Sequence, residues 1–104
     1  MELWYIHPSI KKYIDALEEP TRAQVARLLL LLMEKGPSLG MPLSKHIGHK
    51  LYELRHLGGL NIRIFYTFHK ERIAVLDVIK KKSQKLQKKD LAKARSRLQL
   101  LHER

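Results

Sequence analysis

The chain contains no cysteine. Disulfide staples, thiolate metal sites and a thiol nucleophile are therefore all excluded. Acidic residues are scarce: 10 Asp and Glu stand against 21 Lys and Arg in 104 residues, a formal charge of +11. Paired carboxylates at catalytic spacing, a glycine-rich phosphate loop and a Ser/His/Asp pattern are all missing. The longest apolar run, Leu28–Met33, is far too short to cross a bilayer, so no membrane partner is expected. The opening MELWYIHPSI has neither the basic region nor the apolar core of a secretory signal, and the expectation is a cytoplasmic protein. His46 and His49 sit in a glycine-containing loop without supporting carboxylates, which is too little for a metal site. No metal and no cofactor are expected.

What remains is an ordinary globular composition, 44% hydrophobic and 30% charged, of a length that suits a single domain over residues 1–104. The charge imbalance makes a polyanion the default partner, since each phosphate that is neutralised releases condensed counterions.

Short apolar and aromatic residues at Leu3–Ile6, stopped by His7-Pro8, predict an edge strand. Ser9–Leu17 carries Ile10, Tyr13, Ile14 and Leu17 at helical spacing, with Pro8 fitting the first turn. After Pro20, Thr21 is placed to cap a second helix whose stripe is Val25, Leu28, Leu29, Leu32 and Met33, ended by Gly36-Pro37. Leu30 and Leu31 fall off that stripe, which implies packing on a second side, within the chain or against a partner. Residues 36–50 read as a loop.

Leu51–His56, Asn61–His69 and Ile73–Ile79 read as three strands joined by turns at Gly58-Gly59 and His69–Glu71. Alternation sends Tyr52, Leu54 and His56 to one face and Leu51, Glu53 and Arg55 to the other. It likewise separates Ile62, Ile64, Tyr66 and Phe68 from Arg63, Phe65, Thr67 and His69. A lysine-dominated segment over Lys80–Lys89 leads into a last helix carrying Leu91, Ala94, Leu98 and Leu101.

If helices cover the apolar stripes, Arg55 and Arg63 emerge together on an uncovered sheet face. Two guanidiniums there repel unless an anion lies between them, and a phosphodiester suits their fork geometry. The alternative is that Arg55 pairs with Glu53 as a surface ion pair. Lys80, Lys81 and Lys82 leave the last strand with alternating directions, and crowded ammoniums disfavour one another's charge. If the chain is an enzyme, its acids and bases are confined to Lys, Arg, His and Tyr, a restriction that points to metal-independent RNA cleavage. There the nucleophile is the RNA's own 2′-hydroxyl and the protein supplies proton transfer and cations.

The segments Leu51-Tyr52-Glu53-Leu54-Arg55, Arg63-Ile64-Phe65-Tyr66 and Lys81-Lys82-Ser83-Gln84-Lys85, followed by Ala92-Lys93-Ala94, closely resemble the HigB-like branch of the RelE/ParE toxin superfamily. The match runs over roughly residues 45 to 95. The resemblance implies a RelE-like α+β fold: a small antiparallel meander of about four strands, two N-terminal helices on one face and a C-terminal helix. It implies the toxin of a type II toxin–antitoxin system, a ribosome-dependent mRNA endoribonuclease that inhibits translation. Its partners would be a cognate antitoxin with a helix-turn-helix domain, and the ribosome with mRNA in the A site. Carried over by position, Arg55, Arg63, Lys81 and Lys82 are catalytic. Gln84 orients the RNA, and Lys45, His46, Lys50, Lys80 and Lys85 are RNA contacts. Glu53 positions Arg55. Many relatives have His and Phe where this chain has Asp77 and Ile79, which leaves the acid or base open among His69, Tyr66 and a lysine. Two other readings belong to different classes: a non-catalytic toxin of the same fold acting on a target such as DNA gyrase, and a basic RNA-binding module.

Overall fold

The computed structural model describes residues 1–56, 61–81 and 85–103. The chain runs β1 (Glu2–Tyr5), α1 (Pro8–Asp15), α2 (Thr21–Lys35), a 3-10 turn (Gly36–Ser38), β2 (Ser44–Gly48), β3 (Leu51–Arg55), β4 (Ile62–His69), β5 (Arg72–Lys80) and α3 (Lys88–His102). The strands form one sheet in the order β1-β5-β4-β3-β2. β2 to β5 are antiparallel neighbours, and β1 lies parallel to β5. The class is α+β, as expected, but the sheet has five strands and is mixed.

The additional strand, β2, falls in the segment read as a loop. Its connection to β3 is a two-residue turn in which His49 and Lys50 both take positive φ, 49° and 65°. The β4–β5 connection repeats the device with Lys70 and Glu71 at 50° and 63°. Such turns match the twist of the flanking strands and normally carry Asn-Gly. Neither does here, so the first left no signal in the sequence. The Gly58-Gly59 turn lies outside the described residues.

Local chemistry explains the helix ends. Pro8 occupies the first turn of α1, and His7 caps it by accepting a hydrogen bond from the Ser9 amide on Nδ1 at 3.1 Å. Pro20, not Thr21, is the residue preceding α2, and no side chain caps that end. Gly36 ends α2 at φ 55°, where a Cβ would also come within 3.1 Å of Met1 Sδ.

Each sheet face has its own core. On one, Ile10 and Ile14 of α1 and Val25, Leu28, Leu29 and Leu32 of α2 pack on Leu54, Ile64, Tyr66 and Val75. On the other, Ala94, Leu98 and Leu101 of α3 cover Leu51, Phe65, Ala74 and Leu76. Burying a Leu or Ile contributes about 1.5–3 kcal/mol, so α3 is a full third layer rather than an appended tail. Leu30, expected to pack on a second side of α2, is 62% exposed. β5 carries a bulge opposite Phe65/Tyr66, and Leu76 and Asp77 are accommodated there against a shorter stretch of β4.

Candidate functional site

Arg55 and Arg63 are register partners across β3 and β4. Alternation puts them on the α3 face, the same face as Glu53, Phe65 and Ile79, as the sequence implied. That face is not bare, however. α3 covers its far end, and Arg63 itself is only 7% exposed.

The two cations are reconciled by Glu53. Its carboxylate is 1% exposed, with Oε1 accepting from Arg55 Nε at 2.8 Å and lying 3.8 Å from Arg63 Nε. The pair is thus buried, not the solvated surface pair weighed from spacing. Arg63 Nη1 donates to the His56 and Ile62 carbonyls at 3.3 and 3.2 Å. Loss of solvent around Arg63 lowers its pKa, Glu53 opposes that shift, and Arg55 adds to it. The guanidinium stays charged all the same. Two guanidiniums and one carboxylate leave one net positive charge. Glu53 Oε2 and Arg63 Nε are buried without a hydrogen-bond partner among the described residues. Unsatisfied buried polar groups of this kind concentrate where a ligand completes the network.

A second group of cations adjoins this pair. At the end of β5 and the start of α3 a pocket of about 170 Å³ is lined by Ile79, Lys80, Lys81, Lys85, Lys89 and Asp90, among others. Ile79 is the register partner of Arg63, so the pocket and the arginine pair share a wall. The Lys81 amide donates to the Asn61 carbonyl at 2.9 Å, which ties the lysine segment to the start of β4. Lys82 and Gln84 lie outside the described residues. The first turn of α3 brings Lys89 and Asp90 into this pocket, residues that the sequence reading did not single out. The helical stripe Leu91–Leu101, extended one turn backward, was the signal that could have placed them.

The remaining candidates are scattered. Lys45 sits opposite Glu53 in β2, exposed and on the arginine face. His46 is on the other face, its ring 4.8 Å from that of Tyr52. Tyr66 is also on that other face, 1% exposed and hydrogen-bonded to Ser44, with burial foremost in raising its pKa. It therefore stands apart from the arginines. His69 shares their face but lies six residues along β4, about 20 Å away. Lys50 is in the turn at that same distant end, its carbonyl accepting from Thr67 Oγ1 at 2.6 Å.

Asp77, one of the two departures from the toxin pattern, has a full set of partners. Oδ1 accepts from the Val78 amide at 2.9 Å and from Arg97 Nη1 at 3.4 Å, while Oδ2 lies 3.7 Å from Lys93 Nζ. Arg97 Nη1 also donates to the Leu76 carbonyl at 2.7 Å. The bulge and its carboxylate thus fasten α3 to β5. Among the described residues no group of three or more His, Asp or Glu side chains is placed to hold a metal ion. No helix among them is long and apolar enough to cross a membrane.

A model of the family described as phage-derived protein Gp49-like matches residues 12–99. Among solved structures, the chain is similar to a doubly arginine-to-alanine-substituted variant of the E. coli toxin RelE in the free state. The identity is 17%, the TM-score 0.67, and the alignment covers 93% of this chain and 96% of that one. No curated protein sequence matches.

Proposed function

The chain belongs to the Gp49-like family of phage-derived proteins and has the fold of RelE, and from that premise we propose that it is the toxin of a toxin–antitoxin pair, an endoribonuclease that cuts mRNA in the ribosomal A site. The observation that carries this reading is the cross-strand Arg55–Arg63 pair, held by buried Glu53 and walled by a lysine-lined pocket. Cleavage by an RNA's own 2′-hydroxyl builds negative charge on the non-bridging oxygens of the phosphorane. Preorganised guanidiniums are then worth more in the transition state than in the ground state. The 2′-oxygen attacks phosphorus, the 5′-oxygen leaves, and a 2′,3′-cyclic phosphate and a 5′-hydroxyl result. Arg55 and Arg63 bind the phosphate, and Lys81 with Lys82 serve proton transfer and phosphate binding. Ribosomal RNA aligns the message. The protein acts where ribosomes are, and a helix-turn-helix antitoxin neutralises it.

A second reading has one observation in its favour. Asp77 is committed to α3, and the position is not available as a general base. A non-catalytic toxin of this fold, acting on a target such as DNA gyrase, would tolerate that.

Translation of a reporter message with purified protein, followed by primer extension, separates the two. The expected result is cuts that require ribosomes and slow by about 100-fold in Arg55→Gln, the usual cost of one transition-state donor. Arg55 is preferred to Arg63 because it is the less buried of the two, and circular dichroism checks that the variant folds. Intact message under active translation, with inhibited DNA supercoiling, would establish the second reading instead.

A further inference from the structure

The opposite end of the α3 face holds a second concentration of positive charge. Two-residue turns His49-Lys50 and Lys70-Glu71 meet there, because β3 begins where β4 ends. The His69 ring stacks on His102 of α3, centroids 5.9 Å apart and planes 23° from parallel. Beside them is an open hollow of about 480 Å³ lined by His49, Arg95, Leu98, Gln99, His102 and Glu103. Arg95 reaches across to donate to the Ile47 carbonyl at 3.1 Å, which fixes the α3 side of the hollow to β2. Among the described residues, none of Lys50, Lys70, Arg95 or the three histidines is in an ion pair.

We propose that this histidine-lined hollow is a second RNA-phosphate site, engaged by the strand whose scissile bond lies at Arg55 and Arg63. The inference rests on the RNA reading of the preceding section and adds where the rest of the strand goes. α3 is 15 residues long, about 22 Å, with the lysine pocket at its N-terminal end and the hollow at its C-terminal end. At duplex rise that span accommodates about six phosphates of one strand, and fewer if the strand is extended.

Of the charged and titratable groups, His49, Arg95, His102 and Glu103 line the hollow itself, and His69 borders it through its stacking on His102, with the charges of the adjoining turns and of β5 beyond. The β2–β3 turn supplies His49 and Lys50, and β4 supplies His69. The β4–β5 turn and β5 supply Lys70, Glu71 and Arg72, and α3 supplies Arg95, His102 and Glu103. Arg72 is engaged, its guanidinium 4.6 Å above the Trp4 ring. Glu103 and the C-terminal carbonyls of α3 oppose an anion. Imidazolium charge is what tips the balance, so binding strengthens as pH falls. Loss of solvent, then Lys70, His102, Arg72 and Lys50, all lower the His69 pKa in the free protein. A bound phosphate offsets that repulsion and raises it.

The test uses a twelve-nucleotide RNA with every 2′-hydroxyl methylated, so that cleavage is impossible and no ribosome is needed. Anisotropy with the whole chain is expected to show His69→Asn/His102→Asn losing about tenfold in affinity at pH 6 and under about twofold at pH 8. A three-nucleotide RNA, too short to span, is expected to lose under about twofold at either pH. In the unsubstituted protein, inorganic phosphate should raise the midpoint of the His69 imidazole resonance and perturb the His102 ring resonances at constant pH. Equal losses at both pH values, no loss at pH 6, or imidazoles that respond to polyglutamate and not to phosphate or RNA would overturn the proposal. A failure to cut messages in ribosomes would bear on the preceding section alone, because none of these measurements involves cleavage.

Discussion

Replacing Glu53 with Gln removes one charge and almost no volume from the least exposed charged side chain of the arginine pair. Oε1 stands 2.8 Å from Arg55 Nε and 3.8 Å from Arg63 Nε. With the carboxylate gone, the amide oxygen can still accept one N–H, but two guanidiniums now face each other. Arg63, 7% exposed, cannot move to water. Breaking a buried ion pair by removing one partner costs about 3–5 kcal/mol, and Arg55, whose side chain is 22% exposed, can relax outward, so the low end applies, about 3 kcal/mol. Unfolding entropies of about 2 cal/mol/K per residue convert that into a Tm loss of about 14 °C for this chain. Thermal unfolding followed by circular dichroism at low salt measures it. The same experiment in sulfate carries the sharper expectation. An anion seated between the two arginines replaces the lost carboxylate, so sulfate should raise the Tm of Glu53→Gln by more than that of the unsubstituted chain. Adding Arg55→Gln should then cost less than the two single changes summed, since it removes a charge that the first change left unbalanced. A Tm loss of only a few degrees, or equal sulfate stabilisation of both proteins, would refute the idea that Glu53 holds the pair together.

Replacing Lys70-Glu71 with Asn-Gly relieves two side chains held at positive φ and should stabilise by about 1 kcal/mol, raising Tm by about 4–5 °C in a thermal melt. Asp77→Asn weakens the attachment of α3 at the bulge and should cost about 1–2 kcal/mol, read by denaturant titration and by faster amide exchange in Lys88–His102. Stability should fall as pH drops below the ordinary histidine value of about 6.5: His69 holds its proton less tightly folded than unfolded, so in that window the unfolded chain binds more protons. Denaturant midpoints at pH 5 and pH 8 check the sign, and His69→Gln should flatten the difference.

β3 and β4 were legible because one face is apolar at every second residue, and the arginines on the other face had to become cross-strand neighbours once the register was set. The helices announced themselves through Pro8, Pro20 and Gly36-Pro37. β2 was hidden for a physical reason: its turn uses His49-Lys50 where the usual signal is Asn-Gly, and Lys45 and His46 are exposed at the sheet edge. The burial of Arg63 was not readable either. The stripe Leu91–Leu101 predicted an amphipathic helix but not which face of the sheet it would lie on. Ile73–Ile79 is apolar on both faces, as a strand covered on both sides must be, and α3 supplies the second cover. Asp77 is a long-range result, since its partners Lys93 and Arg97 lie 16 and 20 positions downstream.

The irregularity in β5 also sets parity. Val75 and Val78 belong to the layer under α1 and α2, whereas Leu76 and Ile79 belong to the layer under α3. Odd and even positions therefore exchange sides as the strand passes Leu76 and Asp77. Every residue downstream inherits the exchange: Lys81, rather than Lys80, comes into phase with Arg63. A β5 that ran regularly over the same residues would have the same composition and charge but would present Lys80 to the arginines, whereas removing Leu76 would only close the bulge and leave Lys81 in place.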